Sequence, residues 1–168
     1  MEIINLKNMK KLLLLFALTF TLISNAQDGE FNIGANFGLP VGDIDVSHNF
    51  AISAEVNYLF DVSDEFQVGP SVSFINYFGK EENNIGFGSI QFLPIAGAAR
   101  FNVSDAFSLG ADLGYAVGIN QGNDGGFYYR PVVAYHLTET IALQASYSGV
   151  TSDGATASNV GLGVVFKL

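Results

Sequence analysis

Six side chains in this sequence could do chemistry if folding brought them together: Glu55, Arg100, Asp112, Arg130, His136 and Lys167. Each falls among Gly, Ala, Ser and Asn on the small, polar phase of an alternating segment. An isolated charge taken out of water is costly, so two acids and two arginines placed inside one fold must pair. Glu55, Asp112 and Arg130 lie five to eight residues from their nearest short turn. That common depth predicts that they meet near the middle of the molecule. The chemistry they offer is a salt-bridge plug; the same residues arranged less tightly would form a gated, narrow ion path.

Other constellations fall short of a site. His48 stands near Asp43 and Asp45, but a metal needs more ligands at fixed geometry, and a solvated acidic loop is the expectation. Asn123-Asp124-Gly125-Gly126 and Ser152-Asp153-Gly154 are turn sequences, too short for a calcium loop with its distal Glu. Gly86-Phe87-Gly88 and Gly161-Leu162-Gly163 lack a following helix, so they are not nucleotide loops. His136 with Ser146 or Ser148 could be read as the Ser/His pair of a lipid-acting enzyme, yet their spacing gives no support. The chain has no Cys, which removes thiolate chemistry and disulfides. No catalytic, cofactor-binding or metal residue is assigned, and no cofactor is expected.

The elements that must position the charges are strands. Charged residues make up only 14% of the chain and hydrophobic ones 49%, against about 25% charged in ordinary soluble domains. Beyond the first residues no apolar run approaches a helical membrane span. Instead, apolar residues alternate with small or polar ones over 31–39, 52–60, 66–74, 93–101, 107–119, 127–137, 141–147 and 160–168. Successive strand residues face opposite sides, so each segment has one greasy and one small, polar face. Pro70, Pro94 and Pro131 each remove a ladder donor inside a segment, so bulges or strand ends, and an uncertain register, are expected there.

A short pattern recurs along the chain: Asp28-Gly29-Glu30-Phe31, Ser63-Asp64-Glu65-Phe66, Ser104-Asp105-Ala106-Phe107 and, more weakly, Thr138-Glu139-Thr140-Ile141. The last three directly follow a strand end and read as tight hairpin turns. The opposite connections, roughly Pro40–Asn49, Gly79–Gly88, Gln121–Gly126 and Gly149–Ser158, are longer and more polar. Short turns at one end and longer loops at the other fit a transmembrane barrel, with the turns periplasmic, the loops extracellular and both termini in the periplasm. Aromatics gather near both strand ends: Phe31, Phe60, Phe66, Phe101, Phe107 and Tyr135 toward the turns, and Phe74, Tyr115, Phe127, Tyr129 and Tyr147 toward the loops. Two girdles match two membrane interfaces. A soluble lipocalin-like small-ligand barrel would instead show water a face rich in Lys and Glu. The interior is expected to be small and polar.

Residues 1–26 read as a signal peptide. Met9-Lys10-Lys11 gives a positive start, Leu12–Ile23 an apolar run, and Ser24-Asn25-Ala26 a small-residue cleavage site. Met9 is a possible true start. Removing residues 1–26 leaves four basic residues (Lys80, Arg100, Arg130 and Lys167) against fifteen acids, a net charge of −11. Such a polyanion has no basic patch for nucleic acid.

The last strand, Gly163-Val164-Val165-Phe166-Lys167-Leu168, resembles the C-terminal signal read by the outer-membrane barrel assembly machinery, with Leu in the final place and Gly161 where a polar residue is usual. With the leader, strand count and loop asymmetry, residues 27–168 resemble the small eight-stranded bacterial outer-membrane proteins of the OmpA/OmpX or "porin family" type. The resemblance implies an all-β, eight-stranded antiparallel up-and-down transmembrane barrel in the bacterial outer membrane. It implies lipid and the assembly machinery as partners, and a monomer. The functional expectation is a non-enzymatic barrel with a structural, surface-interaction or limited permeability role. The alternatives are the lipid-acting enzyme and the soluble ligand barrel.

Overall fold

Alternation decides which way each strand faces, and its outcome is visible in side-chain exposure. In the computed structural model, which describes residues 29–82, 85–152 and 154–168, Leu39 and Leu162 are 58% and 70% exposed while Asn32 and Asn36, in the other phase, are 3% and 8%. The greasy face points outward, the reverse of a soluble barrel. Outside stand Phe31, Phe66, Phe101, Phe107 and Tyr135 near one end, and Phe74, Tyr115 and Phe127 near the other. Closing the sheet leaves no strand with an open edge, the condition that lipid imposes.

Among the described residues there are ten strands. Eight of them close the barrel: β1 (Gly29–Val41), β2 (His48–Asp61), β3 (Phe66–Gly79), β6 (Ile90–Asn102), β7 (Phe107–Gly118), β8 (Gly126–His136), β9 (Ile141–Ser152) and β10 (Ala155–Lys167). Each pairs antiparallel with its neighbours in sequence order, and β1 closes on β10 from Asn32↔Lys167 to Val41↔Ser158. The other two, β4 (Glu81–Glu82) and β5 (Ile85–Gly86), form a small hairpin inside the second loop. The eight-stranded antiparallel up-and-down topology is the one expected. The proposed leader, residues 1–26, lies outside the described residues.

The recurring motif makes three near-identical turns. Ser63 Oγ accepts from Phe66 N at 3.2 Å, Ser104 Oγ from Phe107 N at 3.2 Å, and Thr138 Oγ1 from Ile141 N at 3.0 Å. Across each turn, the N–H of Val62, Val103 or Leu137 donates to the carbonyl of Phe66, Phe107 or Ile141 at 2.8–2.9 Å. The first copy of the motif uses the same bond between the chain's two ends. Leu168 N donates to Phe31 O at 2.8 Å, so the barrel's seam is closed where the other units have a turn.

The three prolines correct the expectation of bulges or strand ends. Pro70, Pro94 and Pro131 lie inside β3, β6 and β8. Each interrupts one of its two ladders and leaves the register unchanged. Pairing of β2 with β3 lapses between Asn57↔Ser71 and Phe60↔Val68, that of β3 with β6 between Val72↔Ile95 and Ile75↔Phe92, and that of β8 with β9 between Tyr129↔Gly149 and Val132↔Ser146. On its other side each proline is paired, with Gly97, Ala116 and Ala111 respectively. A strand held on one side and beyond the gap has no freedom to slip. The register shift among the described barrel strands falls instead between His48 and Phe50.

The strands also run further toward the loop end than the alternation indicated. The fourth connection, read as a loop over Gly149–Ser158, is mostly hairpin: Ala155 pairs with Ser152, Ala157 with Val150, and Gly154 takes a φ of +86°. The interior there holds an apolar cluster beside buried His48, Asn76, Ser148 and Asn159, which corrects the expectation of a uniformly polar lumen. Ile75, Tyr77, Phe92, Tyr128 and Val150 form a buried cluster. With apolar residues on both faces, the period-two signal fades although the strand continues.

A candidate functional site inside the barrel

Backbone register places the inward charges before any side chain reaches out. Asp112 on β7 pairs directly with Arg130 on β8, and Arg100 sits on the neighbouring β6. Glu55 projects from β2, on the far wall of the lumen. Small residues make room for them. A methyl group at Gly34 would lie 2.8 Å from Glu55 Oε1, and one at Gly110 would collide with the Arg100 side chain.

The four charges form one connected network. Arg130 Nε donates to Asp112 Oδ2 at 2.9 Å, and its Nη2 lies 2.6 Å from the same oxygen. Nη2 also reaches across the lumen to Glu55 Oε2. Arg100 Nη1 donates to Asp112 Oδ1 at 2.7 Å and to Ala99 O at 2.9 Å. Gln144 Nε2 donates to Glu55 Oε1 and, at 2.7 Å, to Asn36 Oδ1. Glu55, Asp112 and Arg130 are 2%, 1% and 4% exposed. Two carboxylates meet two guanidiniums, so the cluster is neutral and its acceptors are engaged, the condition under which buried ions are tolerated.

Sequence reasoning brought Glu55, Asp112 and Arg130 together, named Arg100 as an inward charge without placing it with them, and missed Asn36 and Gln144. Both lie on the inward phase, but uncharged amides on that phase are common here and nothing singled these two out. With them, the network ties together β1, β2, β6, β7, β8 and β9. Lys167 and His136 lie elsewhere, at the turn end. Lys167 Nζ pairs with Glu30 at 3.1 Å, and His136 Nε2 contacts Ser108 Oγ at 3.2 Å. Ser148, one of the serines considered as a partner for His136, accepts instead from Asn159 Nδ2 at 2.7 Å.

The His48 reading is corrected. His48 is buried as the first residue of β2, with Nδ1 2.8 Å from Ser47 Oγ and its ring edge-on to Tyr77. The register shift beside it turns the ring into the barrel, away from the exposed Asp43 and Asp45. Asp43 Oδ2 accepts from Thr156 N at 2.9 Å and so fastens the first loop to β10. Among the described residues no three His, Asp or Glu side chains gather in a metal-binding arrangement.

Two separate cavities approach the network. A small one of about 40 Å³ at the turn end reaches Arg100 and Gln144. A larger one of about 430 Å³ at the loop end stops on Phe92 and Val150. Among the described residues, none lines both. The charge network and the layer of Tyr77, Phe92 and Tyr128 fill the space between them.

This architecture has counterparts of similar fold among solved structures. Ail of Yersinia pestis, in a phospholipid bilayer nanodisc, superimposes with a TM-score of 0.61 at 16% identity, over 84% of this chain and 100% of that one. The N-terminal β-barrel domain of Pseudomonas aeruginosa OprF gives 0.53 at 14% identity, over 84% and 100%. A de novo designed transmembrane β-barrel gives 0.55 at 13%, over 84% and 98%. At such identities the likeness is one of fold. No curated protein matches the chain in sequence. The family described as outer membrane protein beta-barrel domain matches residues 12–167, nearly the whole length, and the chain belongs to that family as a bacterial outer-membrane barrel.

Proposed function

We propose that this protein is a sealed outer-membrane barrel: a non-enzymatic membrane scaffold that presents its loop end to the exterior and conducts neither ions nor solutes at rest. The observation that carries this reading is Arg130, which rises from β8 and is bonded on one side to Asp112 and across the lumen to Glu55. Eight strands leave an interior that side chains can fill, and here they do so twice, with ions at mid-depth and with Tyr77, Phe92 and Tyr128 above them.

The same reading takes the turns as periplasmic, residues 1–26 as a leader removed on export, and the last strand as the segment handed to the barrel assembly machinery. It takes lipid as the surrounding partner of a monomer. Ail has been crystallised with the heparin analogue sucrose octasulfate. A polyanion of that kind is a poor candidate here, because exposed Asp43, Asp45, Glu81 and Asp124 surround the loop end.

Cell fractionation followed by liposome swelling tests the proposal. The protein is expected in the outer-membrane fraction, with heat-modifiable migration, and reconstituted liposomes should swell no faster in small sugars than protein-free ones. Recovery from the soluble periplasm, or swelling that scales with protein, would contradict it.

A further inference from the structure

The cavity at the loop end has the make-up of a binding site. At about 430 Å³ it falls within the size range of small-molecule pockets. Its floor is apolar, made by Phe92, Val150 and Ala157, with Ile44 and Ile90 packed at the side. It is blind, because the aromatic layer and the ion network lie beneath it.

Its walls are fixed by hydrogen bonds before any ligand arrives. Asn120 Oδ1 accepts from Gln91 N at 2.5 Å, and Asn123 Nδ2 donates to Gln91 O at 2.9 Å. Tyr115 Oη donates to Asp124 O at 2.8 Å, and Asp43 holds the facing wall at Thr156. These bonds use the backbone carbonyl of Asp124 and leave its carboxylate on an exposed rim. Among the described residues lining the cavity, Asp124 is the charged one. Lys80, in the second loop, donates to Asp45 O at 2.6 Å.

An apolar floor, a carboxylate at the rim and an acidic surround select by charge as well as by shape. We propose that this bowl binds small organic cations that carry an apolar group, of the arylalkyl- or alkylammonium class. The apolar group sits on Phe92, Val150 and Ala157, and the ammonium pairs with Asp124. The site is independent of whether the plug beneath it ever opens.

Titration of the isotope-labelled protein in lipid nanodiscs tests this with three probes that share one ring: phenethylammonium, 2-phenylethanol and phenylacetate. Phenethylammonium should shift the amides near Phe92, Asn120 and Ala157 saturably, with a Kd of about a millimolar or below, as expected for a ligand of this size. The neutral alcohol should bind about tenfold more weakly and phenylacetate not at all. Asp124→Asn should weaken phenethylammonium about tenfold, and Ala157→Phe should abolish its binding by filling the floor. If Ala157→Phe does not fold, Ile90→Trp fills the side of the bowl to the same end. Absence of saturable shifts would overturn the proposal. So would equal binding of phenylacetate, no effect of Asp124→Asn, or shifts that survive the filled bowl, the last marking mere partition into lipid.

Discussion

At the scale of single residues, Arg130 has the largest consequences. It has two carboxylate partners, and both are buried. Arg130→Met keeps much of the volume but leaves Glu55 without its cationic partner and Asp112 with Arg100 alone, so the barrel should lose about 3–5 kcal/mol of stability. The urea midpoint of the compact band in unheated electrophoresis reads this out. Because Glu55 and Arg130 touch, Glu55→Gln combined with Arg130→Gln should cost less than the two single changes added together, by about 1–3 kcal/mol. Additive costs would mean that the two groups do not interact. Gly34→Ala is the steric counterpart. Its new methyl group would press on Glu55 Oε1, and overpacking of that kind costs about 1–3 kcal/mol. The charges were legible in the sequence because a charged residue on a Gly/Ala/Ser face is conspicuous. Asn36 and Gln144 were not, since many amides share that face and only the closed geometry shows which two reach Glu55.

At the scale of elements, the turns and the prolines show what period-two reading can and cannot resolve. The turn motif was legible because its chemistry is local: a Ser or Thr oxygen accepts an N–H three residues on. Ser104→Ala should cost only about 0.5–1 kcal/mol, since the backbone bond from Val103 N to Phe107 O remains. The prolines were misread because the reading considered each strand alone. A missing donor breaks one ladder, while the opposite ladder and the pairs beyond the gap hold the strand in place. Pro131→Ala therefore supplies an N–H toward β9. In hydrogen exchange the amide at position 131 should be protected like its neighbours, with no change in the pairing of Val132 with Ser146. Fast exchange there would show that the gap has a cause other than the missing donor. The loop-end extensions of β2, β3, β9 and β10 were hidden for a different reason. Where Tyr77 and Val150 turn an apolar face inward, both phases look alike.

At the scale of the whole molecule, the barrel is a sheet turned inside out relative to a soluble protein. Its outer face is lipid-compatible, and its inner face is divided into a polar storey and an apolar one. The polar storey carries the neutral ion network, which links six strands, and the apolar storey closes the barrel beneath the loop-end bowl. Barrel class, topology and membrane face follow from alternation, which is a property of every strand at once. Whether the lumen is open depends on how a few side chains meet across it, and that is settled only by the closed geometry. The most direct test is single-channel recording in planar bilayers with protein extracted from outer membranes. The sealed barrel predicts a current at the lipid baseline for the unaltered protein, without stable steps at either polarity. Stable ohmic steps from the unaltered protein would contradict it, because they require a continuous water path past Arg130.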